Sequence, residues 1–184
     1  MLYALLRLER MATNAPVVIF PSEHYVEDDG AFMRYVDLAI EGIRARPDLL
    51  VVLGATPDHP EVNYCWIEMG TRIGEYLRLF RVRGLWEKPS SKLATHLWQR
   101  GCLWNSSVFV GQVSLLLFLM REMFPRLTVS FDSLRPAIGE ANESEAAEAA
   151  FKTVAAQDFS HEIAVKCPKN LAVLPVAGVE WIEP

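Results

Sequence analysis

Hydrophobic and polar positions along the chain follow two periods in turn. Over 3–10, YALLRLER, the leucines Leu2, Leu5 and Leu6 share one face of a 3.6-residue repeat and predict a helix. Val17 to Phe20 (VVIF) is a continuous apolar run, mostly β-branched and closed by Pro21, the pattern of a strand covered on both faces. The polar stretch 21–30, PSEHYVEDDG, predicts a loop. Phe32, Tyr35, Val36, Ala39, Ile40 and Ile43 then recur at helical spacing, Pro47 interrupts them, and LLVVLGA at 49–55 predicts a second buried strand. Strand, helix and strand in that order form a β-α-β unit, which predicts parallel strands.

The middle of the chain departs from this alternation. VNYCWIE at 62–68 and RLFRVRGLW at 78–86 read as strands joined without room for a crossover helix, so a small antiparallel excursion is expected there. Helices are expected over 90–100, 112–124 and 143–156, and apolar strands over 107–110 and 171–176. Asn142 or Ser144 is placed to cap the third helix, whose acidic first turn suits the helix dipole. Gly70 to Gly74 (GTRIG) lacks the Lys-Ser/Thr of a phosphate loop and reads as a surface turn. No internal repeat or Gly/Ser-rich linker divides the chain.

Composition narrows the function. A hydrophobic content of 51% with 22% charged residues over 184 positions supports a packed interior rather than disorder. Lys and Arg number 18 against 23 Asp and Glu, a net charge of −5, so no global basic field attracts nucleic acid or an anionic membrane. The longest apolar run, VSLLLFLM at 113–120, falls far short of the ~20 residues of a membrane span. The first ten residues show neither a basic n-region nor a small-residue cleavage site, so no secretory signal is expected. Cys65, Cys102 and Cys167 are dispersed and form no CxxC pair, which argues against a disulfide framework or a zinc site and for a reducing cytoplasm. The four histidines show no HExxH spacing, and no Gly-x-Ser-x-Gly elbow is present.

Candidate chemistry gathers where α/β sheets place ligands, beyond the carboxyl ends of strands. Glu23, His24, Asp28 and Asp29 follow VVIF, and read either as a Mg²⁺ site or as a solvated acidic turn. Trp86-Glu87-Lys88-Pro89 ends a strand before a Ser-rich helix start, which leaves the Lys88 ammonium available to phosphate or as simple surface punctuation. Trp104-Asn105-Ser106-Ser107 offers hydrogen bonds to sugar hydroxyls beside an aromatic wall, or an ordinary polar turn.

The order FPSEHYV, LLVVLGATPDHPEVNYCWIEMG, LWEKPS, GCLWNSSVFVG and LAVLPVAGVEWIEP resembles the mannose-1-phosphate guanylyltransferases over nearly the whole chain. The resemblance implies a Rossmann-like, three-layer, mostly parallel sheet with a small antiparallel excursion. It implies a reaction that joins GTP to mannose 1-phosphate, releasing pyrophosphate. Glu23 and Glu183 stand where that family has metal-binding aspartates, so the resemblance implies Mg²⁺ at these two positions, with carboxylates moved outward by one methylene. Glu87 corresponds to the sugar-contacting Glu, Lys88 to the phosphate-contacting catalytic Lys and Asn105 to the sugar-contacting Asn. Cys65 replaces a Gly whose backbone lies close to the sugar, and Glu68 keeps the acidic residue of the same segment. The family's Gly-Gly-x-Gly-Thr-Arg-Leu loop and later Pro-Lys are not in these 184 residues. Residues 1–184 are therefore expected to be an N-terminally truncated nucleotidyltransferase domain, its sugar-phosphate side, inactive alone. The implied partners are a sugar 1-phosphate and a nucleoside triphosphate, with neither nucleic acid nor membrane. The alternative expectation is a non-catalytic sugar-nucleotide-binding or regulatory subunit that forms a homo-oligomer or pairs with a complete homologue.

Overall fold

Residues 1–22, 25–75, 77–155 and 159–179 are described in the computed structural model, with the backbone of Trp181 and Ile182. Along the chain the elements are α1 (Leu2–Met11), β1 (Pro16–Ile19), β2 (Tyr25–Val26), α2 (Asp29–Ala45), β3 (Leu50–Ala55), β4 (Trp66–Ile73), β5 (Leu79–Trp86) and α3 (Ser91–Gln99). They continue with β6 (Leu103–Gln112), α4 (Val113–Met123), α5 (Pro125–Asp132), α6 (Glu143–Lys152), α7 (Phe159–Lys166), β7 (Leu171–Val176) and β8 (Trp181–Ile182). The chain divides into two compact units, one of residues 16–111 and 168–184, the other of residues 1–15 and 112–167.

In the sheet unit the strand order is β1-β6-β3-β7-β5-β4, and β4 also pairs with β6. That last pairing closes β6, β3, β7, β5 and β4 into a five-stranded circuit. All six residues of β3 are buried, because the strand is paired on both edges and covered on both faces. Phe32, Val36, Ala39 and Ile43 form the buried face of α2 and join β3 in the core, as their spacing predicts. The α2 helix starts where the Asp28 side chain accepts the Ala31 N–H at 2.8 Å, so this acidic residue acts as a helix cap.

The expectation of a mostly parallel, Rossmann-like sheet is corrected. β3 and β7 are parallel, in register from Leu50↔Leu171 to Ala55↔Val176, but β3–β6, β4–β5, β4–β6 and β5–β7 are antiparallel. The physical reason lies in β4 and β5. Each is eight residues long, and with no crossover helix between them they run antiparallel and then pair onward to β6 and β7. The expected excursion is thus the part that closes the sheet. β6 also separates β1 from β3, so the expected β-α-β neighbours are not adjacent. Gly70-Thr71-Arg72 lies inside β4 and is not a turn.

The second unit is helical. Leu2, Leu5 and Leu6 are the buried face of α1, which packs against α4. The Thr13 and Ala15 carbonyls accept the Ser114 and Val113 N–H groups at 3.0 and 3.1 Å and tie the end of α1's segment to the start of α4. Tyr3 Oη donates to Glu143 at 2.6 Å, and Phe151 meets Tyr3 and Phe131 edge-on. The helix expected over 112–124 stops at Phe124, and α5 follows with Pro125 in its first turn. The helix expected over 143–156 is α6, and no side-chain cap bond forms at Asn142. Among the described residues no helix is long and apolar enough to cross a membrane.

Candidate active site

The site grows from an irregularity in β6. Val52 pairs with Phe109 and Gly54 with Asn105, so two steps of β3 face four of β6 and a bulge forms between them. Ser107 there has φ 56. Ser106 holds the bulge: its Oγ donates to the Leu53 carbonyl at 2.7 Å and accepts from the Val108 N–H at 3.2 Å. Asn105 contributes its Oδ1, which accepts the Ser107 N–H at 3.0 Å. Beyond the bulge Trp104 opposes Ala55 of β3 and Trp66 of β4, and Trp66 opposes Trp86 of β5.

These pairings bring together segments that are distant in sequence. Just past Trp66, Trp86 and Trp104 stand Cys65, Glu87 and Asn105. The Asn105 N–H donates to the Cys65 carbonyl at 2.8 Å. The Cys65 thiol is pushed up to about 12, first by burial and then by the charge and hydrogen bonding of Glu87; the Asn105 side chain and the Trp86 backbone oppose the shift. Lys88 is the next residue after Glu87, exposed and without an ion pair among the described residues. It has φ 39 immediately before Pro89, where an extended conformation is the norm, at a cost on the order of 1–3 kcal/mol. Ser90 then caps α3 by accepting the Leu93 N–H at 3.4 Å.

Glu68 lies further along β4, opposite Gly84. It is 8% exposed, and its Oε1 accepts from Arg100 Nη2 at 2.6 Å and lies 3.6 Å from Arg83 Nη1. A second bulge explains Arg83. Gly84 pairs with Glu68 and Val82 with Met69, which leaves Arg83 as the extra residue, turned toward the carboxylate. Sequence reasoning missed both arginines. The alternation of charge in RVRG is a weak signal for Arg83, and nothing local marks Arg100.

The loop from β3 to β4 covers the aromatic wall. His59 and Tyr64 each meet Trp104 edge-on at 5.0 Å, and Trp66 Nε1 donates to the Glu61 carbonyl at 2.8 Å. The Glu61 carboxylate accepts the Val62 and Asn63 N–H groups at 2.7 and 2.8 Å, which shapes the turn. Trp104 Nε1 is buried without a hydrogen-bond partner among the described residues.

Glu23, His24 and Glu183 lie outside the described residues. Tyr25 and Ile182, close to them in sequence, are partners in the antiparallel β2–β8 ladder. Among the described residues no group of three or more His, Cys, Asp or Glu could hold a metal ion. What the described residues do offer is a carboxylate, a buried amide with its N–H₂ not committed to the bulge, and an exposed ammonium. Together these can accept from and donate to hydroxyls and bind an anion beside an aromatic wall.

Over residues 2–123 the chain matches the protein-family model described as Nucleotidyl transferase. It is 29% identical over 125 residues to the xanthan biosynthesis protein XanB of Xanthomonas campestris pv. campestris (strain B100), covering 67% of this chain and 26% of that protein. It is 28% identical over 127 residues to the mannose-1-phosphate guanylyltransferase RfbM of Salmonella typhimurium, covering 68% of this chain and 25% of the relative. The chain thus spans about a quarter of the length of these curated relatives. Among solved structures, mannose-1-phosphate geranyltransferase from Thermus thermophilus superposes with a TM-score of 0.78 at 24% identity, over 97% of this chain and 48% of that one. Mannose-6-phosphate isomerase from Helicobacter pylori gives 0.69 at 16% identity, over 100% and 70%. Identities this low speak for a shared fold.

Proposed function

This chain belongs to the nucleotidyl transferase family, and we propose that it forms the sugar-phosphate side of a GDP-mannose-synthesising site in the cytoplasm. In that reaction a phosphate oxygen of mannose 1-phosphate bonds to the α-phosphorus of GTP, the bond to the β-phosphate breaks, and pyrophosphate leaves. The observation that carries the reading is the convergence of Cys65, Glu87 and Asn105, with Lys88 exposed beside them. Glu87 accepts sugar hydroxyls, the Asn105 amide donates to them, and the Lys88 ammonium binds the phosphate. Glu68, held by Arg83 and Arg100, shapes the sugar side with a fixed carboxylate. The name of the Salmonella relative supplies the sugar and the base.

The family's Mg²⁺ belongs to the same reading, with Glu23 and Glu183 as its ligands; the β2–β8 pairing of Tyr25 with Ile182 supports bringing those segments together. Bound there, the ion would neutralise phosphate charge. The described residues hold no metal group of their own, and the roles given to Glu87, Lys88 and Asn105 do not depend on one.

The 184 residues contain no Gly-Gly-x-Gly-Thr-Arg-Leu loop, and for this chain alone we propose binding without turnover. Calorimetric titration of mannose 1-phosphate into wild type, Lys88→Ala and Asn105→Ala tests the assignment. A rise in Kd of about tenfold or more is expected for Lys88→Ala, the loss of a hydrogen bond to a charged group, and of roughly twofold to tenfold for Asn105→Ala, the loss of a neutral one. Unchanged affinity in the variants, or none in wild type, would reject the site. Formation of GDP-mannose from GTP by the chain alone would reject the claim of no turnover.

One observation favours a second reading. The Cys65 thiol engages the Glu87 carboxylate and the Asn105 amide, the groups a sugar would use, which suits a regulatory subunit paired with a complete homologue. Co-expression with such a homologue, yielding neither a complex nor altered kinetics, would remove it.

A further inference from the structure

The carboxyl end of β7 carries a second constellation, built from other elements than Glu87 and Lys88. Between α2, the start of β5 and the turn after β7 lies a hollow of about 300 Å³, lined by Arg34, Tyr35, Leu38, Arg78, Ala177 and Gly178 among others. Carboxyl ends of parallel strands are where α/β sheets collect ligands, and β7 is parallel to β3. The hollow has a fixed rim. Tyr35 Oη donates to the Ala177 carbonyl at 2.9 Å and accepts the Ala177 N–H at 3.3 Å, which clamps the turn onto the helix. Gly178 has φ 69, and a Cβ built on it would meet nothing within 4 Å, so the mouth is open.

Many of the chain's arginines are neutralised by a carboxylate, and the two in the hollow are not. Arg46 is paired with Asp48, Arg83 and Arg100 with Glu68, and Arg135 with Glu9 and Asp132. Arg34 and Arg78 have no ion-pair partner among the described residues, although the sequence carries a net charge of −5. Glu41 lines an adjoining smaller hollow with Leu38 and Arg78 without pairing to Arg78. Two guanidinium groups from different elements, without an ion pair among the described residues and lining one concavity, offer the paired donors that oxyanions match. The volume exceeds what a bare phosphate fills and sits at the lower end of small-molecule sites. Leu38, 39% exposed, gives that extra space an apolar side.

We propose that this hollow binds a small organic phosphate, with Arg34 and Arg78 clamping its phosphate oxygens and Leu38 packing against its carbon skeleton. The site does not rest on the reading of Glu87, Lys88 and Asn105. Its rim is the Ala177–Gly178 turn that follows β7.

Phenyl phosphate, titrated without metal and followed by calorimetry and by the amide resonances of Ala177 and Gly178, is the probe. Wild type is expected to bind it, Arg34→Gln and Arg78→Gln each to raise Kd about tenfold or more, and the double variant to lose binding. Leu38→Asn should weaken phenyl phosphate while leaving inorganic phosphate unchanged. These side chains are exposed, so circular dichroism should show the fold retained. The proposal is overturned if wild type does not bind at millimolar concentrations, if the double variant keeps wild-type affinity, or if Lys88→Ala abolishes binding that the arginine variants retain.

Discussion

Cys65 is held as a neutral thiol first because burial disfavours the thiolate, and then because ionising it would put a second negative charge beside the Glu87 carboxylate. With its value raised from 9.0 to about 12, the folded chain binds this proton more tightly than the unfolded chain. That contribution to stability is fully present below the unfolded value and declines as pH rises toward the folded one. Urea midpoints should therefore fall between about pH 9 and 11 in wild type and fall less steeply in Cys65→Ala; parallel slopes would remove the thiol as their source. His59 shifts upward for the opposite electrostatic reason, chiefly its hydrogen bond to Asp58, with Glu61 adding to it. Its contribution is present below the ordinary histidine value and lost as pH rises through the folded one. Asp58→Asn should lower the midpoint of the His59 proton titration followed by nuclear magnetic resonance. Motif order singled out Cys65, Glu87, Lys88 and Asn105 as candidates, because each sits beside a recognisable string. Arg100 escaped notice because its contact with Glu68 spans 32 residues and exists only once α3 and β4 are placed.

At the scale of elements, the bulge in β6 decides how the strand turns toward Trp66. Ser106→Ala deletes a buried donor to the Leu53 carbonyl and should cost ~1–3 kcal/mol in chemical denaturation. Gly54 lies beside the bulge, where a Cβ would come within 2.6 Å of Leu103 Cδ1 and 2.9 Å of Val173 Cγ2. Gly54→Ala should destabilise by ~1–3 kcal/mol for want of space. Asp28→Ala should cost ~1 kcal/mol, the ordinary loss of a helix cap, read as a lower urea midpoint. The same bulge explains why the sequence suggested a strand over 107–110 where the structure has Leu103–Gln112. Asn105, Ser106 and Ser107 carry turn-forming side chains, and they use them within a strand to satisfy the backbone of the bulge. Gly70-Thr71-Arg72 misled for a related reason: small and polar residues occupy the exposed middle of β4.

Across the whole molecule, all three cysteines are free thiols, Cys102 and Cys167 buried and Cys65 half-buried. A thiol reagent should titrate three groups after denaturation and react slowly with the native protein, while reducing agents leave the melting temperature unchanged. A reducible crosslink, seen as a drop in melting temperature, would contradict this. The dispersed cysteine spacing already pointed there. By itself the sequence determined which segments are helices and strands where a single period runs unbroken, as in α2 and β3, since burial of one face or both is written into the order of apolar residues. It also determined the family likeness, through strings that keep their order. Tertiary structure decided how the sheet closes, because strand direction and partner depend on pairings between β4 and β6 or β5 and β7 that carry no local mark. It likewise decided which charges are neutralised: Glu68 by two arginines, and Arg34 and Arg78 by none among the described residues. Electrostatic partners are set by distance in space, and the chain's periodicity records only distance along it.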